Sequence, residues 1–289
     1  MEEIVNIVHE KQRVNNIHTL GNWDLFADHR QQIKRLIQSE EKARNKRICI
    51  LGAGNCNDLD LKYLTSLFKE IHLVDIDESA LMNGVRKQKV NGFPNIYVHG
   101  NIDLTGIYND LEEWHYQRPN QQKITDCIMK ANGFDGIRID RDFDIVVSSC
   151  LLTQLIQSIT DTLIDCENEL KLVFAVRNRH LHLLVELLSD NGKGIFVTDL
   201  VSSDTVPILS SVKESDLFNL MLDLIRSHNF FKGLNPFIIE QILRKDPKIN
   251  KLQFIHPWLW RISSSRTYLV YAFTMIKGTF IKRSKSYQS

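Results

Sequence analysis

The sequence predicts an α/β fold in which a mostly parallel sheet is covered by helices on both faces. Five short apolar runs of strand length alternate with stretches of helical periodicity, which implies right-handed crossovers between parallel strands. Two longer strand-like segments, 252–262 and 267–277, follow at the end, and their four-residue join forces an antiparallel pair. A Gly-x-Gly turn at Gly52 and Gly54 comes directly after the first apolar run, where open sheets of this kind bind ligands.

The periodicity of the apolar residues assigns each element in turn. The first half is predicted to hold a helix at 23–37, a strand at 48–51, a helix from about 58 to 69, a strand at 71–75, a helix from about 79 and a strand at 95–99. The second half is predicted to begin with a polar connection at 105–141 that contains one or two helices, followed by a strand at 143–148, two helices within 151–188 and a strand at 193–199. An insertion at about 200–250, with helices near 214–228 and 236–244, then precedes the hairpin.

The glycine turn and the acid that follows the next strand predict a nucleoside-binding half-site. Gly52 and Gly54 carry no side chain, so a ligand can approach the backbone closely. Asp75 lies 23 residues after Gly52, close to the separation at which an acid at the next strand's end takes ribose hydroxyls. The loop leaves the cofactor open, because Asn57 replaces the third glycine of the dinucleotide motif. Cys56 replaces the last glycine of the looser S-adenosylmethionine (SAM) loop.

Five segments in the expected order then favour one family. They are Ile50-Leu51-Gly52-Ala53-Gly54, the run 72–77 ending in Asp75-Ile76-Asp77, His99-Gly100-Asn101-Ile102-Asp103, the run 143–149 ending in Ser148-Ser149, and 192–198. With the closing hairpin, the chain resembles class I SAM-dependent methyltransferases over roughly residues 44–277. The resemblance implies a Rossmann-like, seven-stranded, mostly parallel sheet with a C-terminal antiparallel hairpin. We therefore expect an N-terminal helical segment or lid at 1–43 and a methyltransferase domain at 44–289.

The resemblance also implies which residues contact SAM. Gly52, Gly54 and Asn55 would lie at its methionine end, Asp75 at the ribose, Ile76 on the adenine face, Asn101, Ile102 or Asp103 at the adenine edge, and Ser148 and Ser149 beside the sulfonium. Two positions depart from the family: Ile50 stands where an acid is usual, and Cys56 where a glycine is usual. Asn55, Asn57 or Asp58 could supply the missing polar contacts, or cofactor binding could be weakened or lost.

The residues that would meet the methyl acceptor are harder to assign. Asp199, closing the strand at 193–199, is predicted to be a base or an orienting acceptor, with a turn cap as the alternative. His180 shares a predicted helix with Arg177, and the pair either faces the cleft or belongs to a solvated helix face. His29 and Arg30 are expected at the surface, or else in a lid over the cofactor.

Two aromatic sets are also ambiguous. Trp258 and Trp260 alternate along a strand, so both face one side, either packed or as an aromatic wall for the acceptor. Within the insertion, apolar residues such as Phe218, Met221 and Phe237 are predicted to cap the acceptor, or to complete a helical core.

The leading function predicted is SAM-dependent methyl transfer to a small-molecule acceptor by in-line displacement. Methyl transfer to RNA or protein is one alternative, and a non-catalytic, cofactor-binding partner subunit is another. A net charge of +1 argues against a protein that mainly grips nucleic acid. A nicotinamide-dependent oxidoreductase fits less well, because the third glycine is missing and the chain ends in a hairpin.

Composition sets the remaining expectations. The chain has 289 residues, 43% of them hydrophobic and 25% charged, which is ordinary for a globular enzyme. Its five cysteines show no metal-like spacing, so no metal is expected. The acidic start and the lack of a run of about eighteen apolar residues predict a cytoplasmic protein with no membrane partner. The identity of the acceptor and the oligomeric state cannot be read from the sequence.

Overall fold

A single sheet of seven strands, in the order β3-β2-β1-β4-β5-β7-β6, organises the molecule. The computed structural model describes residues 7–38, 45–133, 137, 139–140, 142–163 and 168–279. The first five strands in sequence run parallel to one another, whereas β7 pairs antiparallel with both β5 and β6. The strands are β1 (Arg47–Leu51), β2 (Glu70–Val74), β3 (Ile96–His99), β4 (Phe143–Ser149), β5 (Leu188–Ser202), β6 (Ile249–Arg261) and β7 (Thr267–Lys277). This arrangement confirms the fold class predicted from the sequence.

Helices cover both faces of this sheet because β1, β4 and most of β5 are apolar on both sides. The helices are α1 (Ile7–Thr19), α2 (Ala27–Ile37), α3 (Leu61–Leu67), α4 (Glu78–Lys87), α5 (Tyr108–Tyr116), α6 (Gln121–Asn132), α7 (Leu152–Thr162), α8 (Glu169–Glu186), α9 (Leu217–Arg226) and α10 (Pro236–Lys245), with 3-10 turns at Pro207–Ser210 and Glu214–Asp216. One apolar core contains buried residues of α2, α3 and α4, and the other contains those of α5 to α10.

The predicted element bounds lie within about three residues of the structure except at two places, and helix α1 was not predicted as an element of its own. The first predicted helix begins at residue 23, but α2 begins only at Ala27. Strand β5 extends well beyond the predicted 193–199 at both ends. A register shift after Phe143 pairs that residue with Leu188, and a second shift after Asp199 lets Val201 and Ser202 continue along β7. Such irregularities lengthen a strand without an apolar pattern that a sequence reading could detect.

The expectation of a solvated face on the helix around residues 177–182 is wrong. Arg177, Arg179 and His180 in α8 are all buried. The reason is that α8 packs beneath α6 and α7 against the sheet, and two loops cover its remaining surface. Arg177 donates to the carbonyl oxygen of Gly233, and Arg179 donates to that of Gly133. The two guanidinium groups therefore fasten surrounding loops to the central helix.

Among the described residues, no helix has the length and apolar character needed to span a membrane.

Candidate active site

The turn after β1 takes the left-handed conformation that its sequence demands. Gly52 and Gly54 have φ values of 72° and 46°, and Cys56 has a φ of 53°. Cys56 thus adopts the backbone conformation of the glycine it replaces, at a modest energetic cost for a residue with a Cβ. The predicted departure from the family loop changes the residue type here without changing the handedness of the turn.

Asp75, immediately after β2, ties this turn to the next strand. Its Oδ2 accepts a hydrogen bond from the backbone N–H of Gly54 at 2.9 Å, and its Oδ1 accepts one from that of Asp77 at 2.9 Å. Burial raises the pKa of this carboxyl to about 6, although the backbone donors favour the charged form. Each carboxylate oxygen can accept a second hydrogen bond, and Asp75 lines the cavity described next.

A narrow cleft opens beside Asp75 at the carboxyl ends of β2 and β3. Its walls are largely apolar, and Ile76 and Ile102 contribute beside Leu151 and Leu155. Such a slot suits a flat ring system, with polar groups at the rim to orient it. Gln12 and Val8 of α1 complete the lining, so the N-terminal helix covers this cleft.

Asp103 lines the cleft, but its carboxylate oxygens already accept hydrogen bonds from the loop that precedes α5. Its Oδ1 accepts hydrogen bonds from the backbone N–H and the hydroxyl of Thr105, at 2.7 and 2.6 Å. Its Oδ2 accepts one from the N–H of Tyr108 at 3.0 Å, so the side chain orders the approach to α5. Asn101 lies outside the cleft lining, exposed, with its amide donating to Glu78 at 2.9 Å. Of the three predicted adenine-edge residues, Ile102 and Asp103 reach the cleft.

Helix α1 is fastened across the glycine turn by side-chain amides. Asn16 donates to Asp77 at 2.9 Å, while Asn55 donates to the carbonyl of Asn16 at 2.5 Å. Asn57 donates to the carbonyl of Thr19 at 2.7 Å. The amides of Asn55 and Asn57, which the sequence offered as replacement contacts to the cofactor, are therefore bonded to this helix instead.

A second and larger cavity, of about 460 Å³, adjoins the cleft at Gly52 and Gln154, which line both. We call it the chamber. It lies between the glycine turn, the start of α7 and the β6–β7 hairpin. Gly54, Asn55 and Ser149 from the predicted cofactor set line it, and so does Asp199.

Asp199 is the most deeply buried carboxyl of the chamber, with 3% of its surface exposed. Its Oδ1 accepts a hydrogen bond from the Thr153 hydroxyl at 2.8 Å. Burial raises the pKa of Asp199 to about 6, because Thr153 and the backbone are its hydrogen-bonding partners and neither is a cation. A buried carboxyl with such a pKa can exchange a proton near neutral pH.

Asp58 is the second acid of the chamber that has no close cationic partner. Burial raises its pKa to about 6, and the Ser149 hydroxyl and the charge of Arg30 only partly offset that effect. Arg30 itself donates to the carbonyls of Trp23 and Asn57, at 3.0 and 2.7 Å. Asp58 therefore remains available to a cationic group that enters the chamber.

His180 and Ser148 bond to each other beneath the site and reach neither cavity. The Ser148 hydroxyl and Nε2 of His180 are 2.7 Å apart, and both residues are fully buried. Burial lowers the pKa of His180 to about 4, so the ring is neutral at pH 7. The prediction that His180 faces the cleft has no support in this geometry, because α8 lies under the sheet and points this ring at β4.

The expectation that His29 lies at the surface is also wrong, since only 1% of it is exposed. Trp258 donates from Nε1 to Nδ1 of His29 at 3.1 Å, and the ring of Trp260 stacks on His29 with centroids 4.6 Å apart. The two tryptophans are thus packed, as their alternation predicted. Trp260 nevertheless lines the chamber as well, together with Phe26 and Tyr268.

The apolar residues of the insertion do not line either cavity. Met221 is buried in the core, whereas Phe218 and Phe237 are exposed on α9 and α10. Both helices pack on β6, the edge strand. The insertion therefore completes a core, and the predicted acceptor cap is not formed by these side chains.

Sequence reasoning overlooked Gln154, Thr153 and Tyr268, which reach the site from α7 and β7. No local motif marks these three residues. Tyr268 reaches the site because the sheet order, rather than sequence proximity, brings β7 next to β5. Among the described residues, no group of three or more His, Cys, Asp or Glu side chains is arranged to hold a metal ion.

Comparisons with known proteins find similarity only among solved structures. No protein-family model matches the sequence, and no curated protein matches it either. The YcgJ protein of Bacillus subtilis has 12% identity over 86% of this chain and 99% of its own, with a TM-score of 0.46. The N-methyltransferase NodS of Bradyrhizobium japonicum has 12% identity over 89% and 98%, with a TM-score of 0.45. A phosphoethanolamine N-methyltransferase of Haemonchus contortus has 11% identity over 88% and 53%, with a TM-score of 0.46. At such identities the likeness concerns the fold alone, and the fold assignment rests on the strand order itself.

Proposed function

We propose that the protein transfers a methyl group from SAM to a small-molecule acceptor by in-line displacement. The observation that carries this proposal is the pair of adjoining cavities on either side of the glycine turn. One is a narrow apolar cleft beside a buried acid, and the other is a roomier chamber that contains a second buried acid. A nucleoside in the first would present its far end to an acceptor in the second.

The residues of the cleft fit the nucleoside part of SAM. Asp75 accepts hydrogen bonds from the backbone at both oxygens, and its remaining acceptor capacity would serve the ribose hydroxyls. Ile76 and Ile102 offer apolar faces to adenine, and Gln12 and Ser158 supply polar atoms at the edge. Any side chain at Gly52 would collide with Leu151, because a Cβ there would lie 2.8 Å from that residue.

The bound SAM would supply an already activated methyl group, so the protein's own residues need only align the acceptor, exclude water and manage a proton. Ser149 and Thr153 lie in the chamber where the reacting atoms would meet. Asp199 would hold the acceptor through its free oxygen and accept the proton that the acceptor loses. His180 would act indirectly, by holding Ser148 and hence the end of β4.

Helix α1 would act as the lid of the predicted N-terminal segment. Glu112 of α5 accepts hydrogen bonds from the backbone N–H groups of Val8 and His9, in the first turn of α1. At its other end, α1 is bonded to the glycine turn through Asn16. A ligand enclosed beneath such a helix is separated from water, which suits a small acceptor better than a folded RNA or protein.

The acidity of the chamber also supports a small-molecule acceptor over a nucleic acid. Asp58 and Asp199 face the space that the acceptor would occupy, and a phosphate backbone would be repelled there. A groove for RNA would instead present lysine and arginine residues with exposed aromatic rings.

Calorimetric titration with SAM, S-adenosylhomocysteine (SAH) and NAD tests the proposal. We expect micromolar binding of SAM and SAH and none of NAD. Asp75→Asn should weaken SAH binding by about 10- to 100-fold, the loss of a charge-assisted hydrogen bond of ~1.5–3 kcal/mol. Asp190→Asn, an exposed residue near the other end of β5, makes the same charge change and should bind SAH normally. If the wild-type protein bound neither SAM nor SAH, the proposal would be refuted.

A further inference from the structure

The charges that line the chamber do not balance. Among the described lining residues, the acids are Asp58, Asp199 and Asp204, and the one permanent cation is Arg266. Arg266 is already paired with Asp204 at 2.7 Å, and both lie half-exposed at the rim. The remaining titratable nitrogen, on His18, belongs to an exposed residue of α1. Asp199 is thus left without a cation, and Asp58 is only partly offset by Arg30, which lies outside the lining and donates its hydrogen bonds to carbonyl oxygens.

SAM would compensate only one of these two acids. Its sulfonium carries one positive charge, while its ammonium and carboxylate groups cancel each other. Asp58 follows the glycine turn directly, so it lies on the side where the amino-acid end of the cofactor would sit. Asp199 lies across the chamber near the carboxyl end of β5, at the shift in its register with β7, and is bonded to Thr153. One carboxylate therefore remains for the acceptor.

The wall beside Asp199 is aromatic. Phe26, Trp260 and Tyr268 all line the chamber, and Trp260 contacts the other two: its ring centroid lies 5.2 Å from that of Phe26 and 5.5 Å from that of Tyr268. The faces of aromatic rings attract cations, most strongly when the site is shielded from water. An aromatic wall beside an unpaired carboxylate is the lining expected for an ammonium group.

We infer that the acceptor is a primary or secondary amine, which enters as an ammonium ion and is held by Asp199 against the wall of Trp260 and Tyr268. This inference rests on the proposed methyl transfer. The ammonium first gives a proton to the Asp199 carboxylate, which leaves a neutral amine. The nitrogen lone pair then forms the N–C bond to the methyl group while the S–C bond breaks, its electron pair going to sulfur. The methylated product leaves as an ammonium ion, and the proton on Asp199 passes to solvent.

Matched probes test this choice of acceptor. The SAH-saturated protein is titrated with benzylamine, benzyl alcohol and benzoate, and with the cyclohexylmethyl and butyl counterparts of each. We expect the amine to bind at least tenfold more tightly than the alcohol of the same shape, and the carboxylate most weakly. Incubation with methyl-deuterated SAM should transfer the label to the nitrogen of an amine that binds.

Two variants assign the preference to Asp199. Asp199→Asn keeps the oxygen that accepts from Thr153 and should abolish most of the preference for amines, with SAH binding unchanged within twofold. Asp223→Asn removes an exposed charge of α9 and should change neither the preference for amines nor the binding of SAH. If SAH binds normally but alcohols or carboxylates bind as tightly as amines in all three shapes, the amine inference is overturned and the proposed function stands. Failure of the wild-type protein to bind SAH would overturn both.

Discussion

Replacing Asp199 by Asn should make the ligand-free protein more stable at neutral pH while it impairs acceptor binding. Burial raises the pKa of Asp199 from its ordinary value of 3.8 to about 6. In the folded protein the charged carboxylate is therefore held in an unfavourable environment at pH 7. Asn has nearly the same shape and keeps an oxygen for the Thr153 hydroxyl, but it carries no charge.

The size of the effect follows from proton linkage. Each tenfold change in proton affinity is worth ~1.4 kcal/mol, so the raised pKa corresponds to about 3 kcal/mol for this 3%-exposed side chain. Because the pKa of Asp199 is raised on folding, its contribution to stability decreases as the pH rises. The stabilising contribution of protonated Asp199 is fully present below about pH 4 and is lost as the pH rises through about 6. Asp199→Asn should thus gain up to ~3 kcal/mol over wild type at pH 7.5 and almost nothing at pH 4.

Urea denaturation at pH 4 and pH 7.5 measures this difference directly. Asp223→Asn is the matched control, because its side chain is 70% exposed and should leave the free energy of unfolding within ~0.5 kcal/mol of wild type at both pH values. The reasoning is refuted if Asp199→Asn is no more stable than wild type at pH 7.5, since Asp199 would then have an unrecognised cationic partner or access to water.

Three further results are expected. Gly52→Ala places a Cβ 2.8 Å from Leu151 at a φ of 72°, so urea denaturation should show that the free energy of unfolding falls by ~2–4 kcal/mol. Gly21→Ala is the control, because a Cβ there meets nothing within 4 Å and should leave the stability nearly unchanged. Equal stabilities of the two variants would contradict the turn geometry. Glu112→Ala removes the hydrogen-bond acceptor at the start of α1. Hydrogen exchange of the backbone amides there should become about fivefold faster, which corresponds to ~1 kcal/mol. Unchanged exchange would contradict the capping role. At pH 6, SAM binding should release protons as a cation lowers the raised pKa of Asp58, giving a calorimetric enthalpy that depends on the buffer. Asp58→Asn should reduce that dependence and leave only the share of Asp75, whose pKa is also raised to about 6; an unreduced dependence in the variant would oppose the assignment.

The cofactor half of the site could be predicted from the sequence because it is encoded locally. Gly52, Gly54 and Asp75 lie within one strand–helix–strand unit, so a linear pattern carries their spatial relation. The register of β1 with β2 then places Asp75 beside the turn, and the hydrogen bond from Gly54 to Asp75 follows. The mostly parallel sheet and its closing antiparallel pair were predictable for a similar reason, since helical crossovers join parallel strands and a four-residue join forces an antiparallel pair.

The predictions that were wrong concern side chains whose burial depends on distant parts of the chain. Arg177 and His180 carry polar side chains on a helix and read as solvated, but loops at 133 and 233 cover α8. His29 was misassigned likewise, because the tryptophans that enclose it are more than 200 residues away in sequence. A pattern that spans fewer than twenty residues cannot report such contacts.

The acceptor side was only partly predictable, because no single element builds it. Asp199 could be found, since it closes the predicted strand at 193–199, at the carboxyl end where ligands bind. Tyr268 and Trp260 could not be placed in advance, because the antiparallel register of β7 against β5 and β6 decides which side chains meet there. That register brings aromatic rings from the hairpin to a carboxyl without a cationic partner. The amine preference proposed for the chamber therefore depends on the assembled sheet rather than on any one segment, and it is in this part of the fold that the acceptor would be selected.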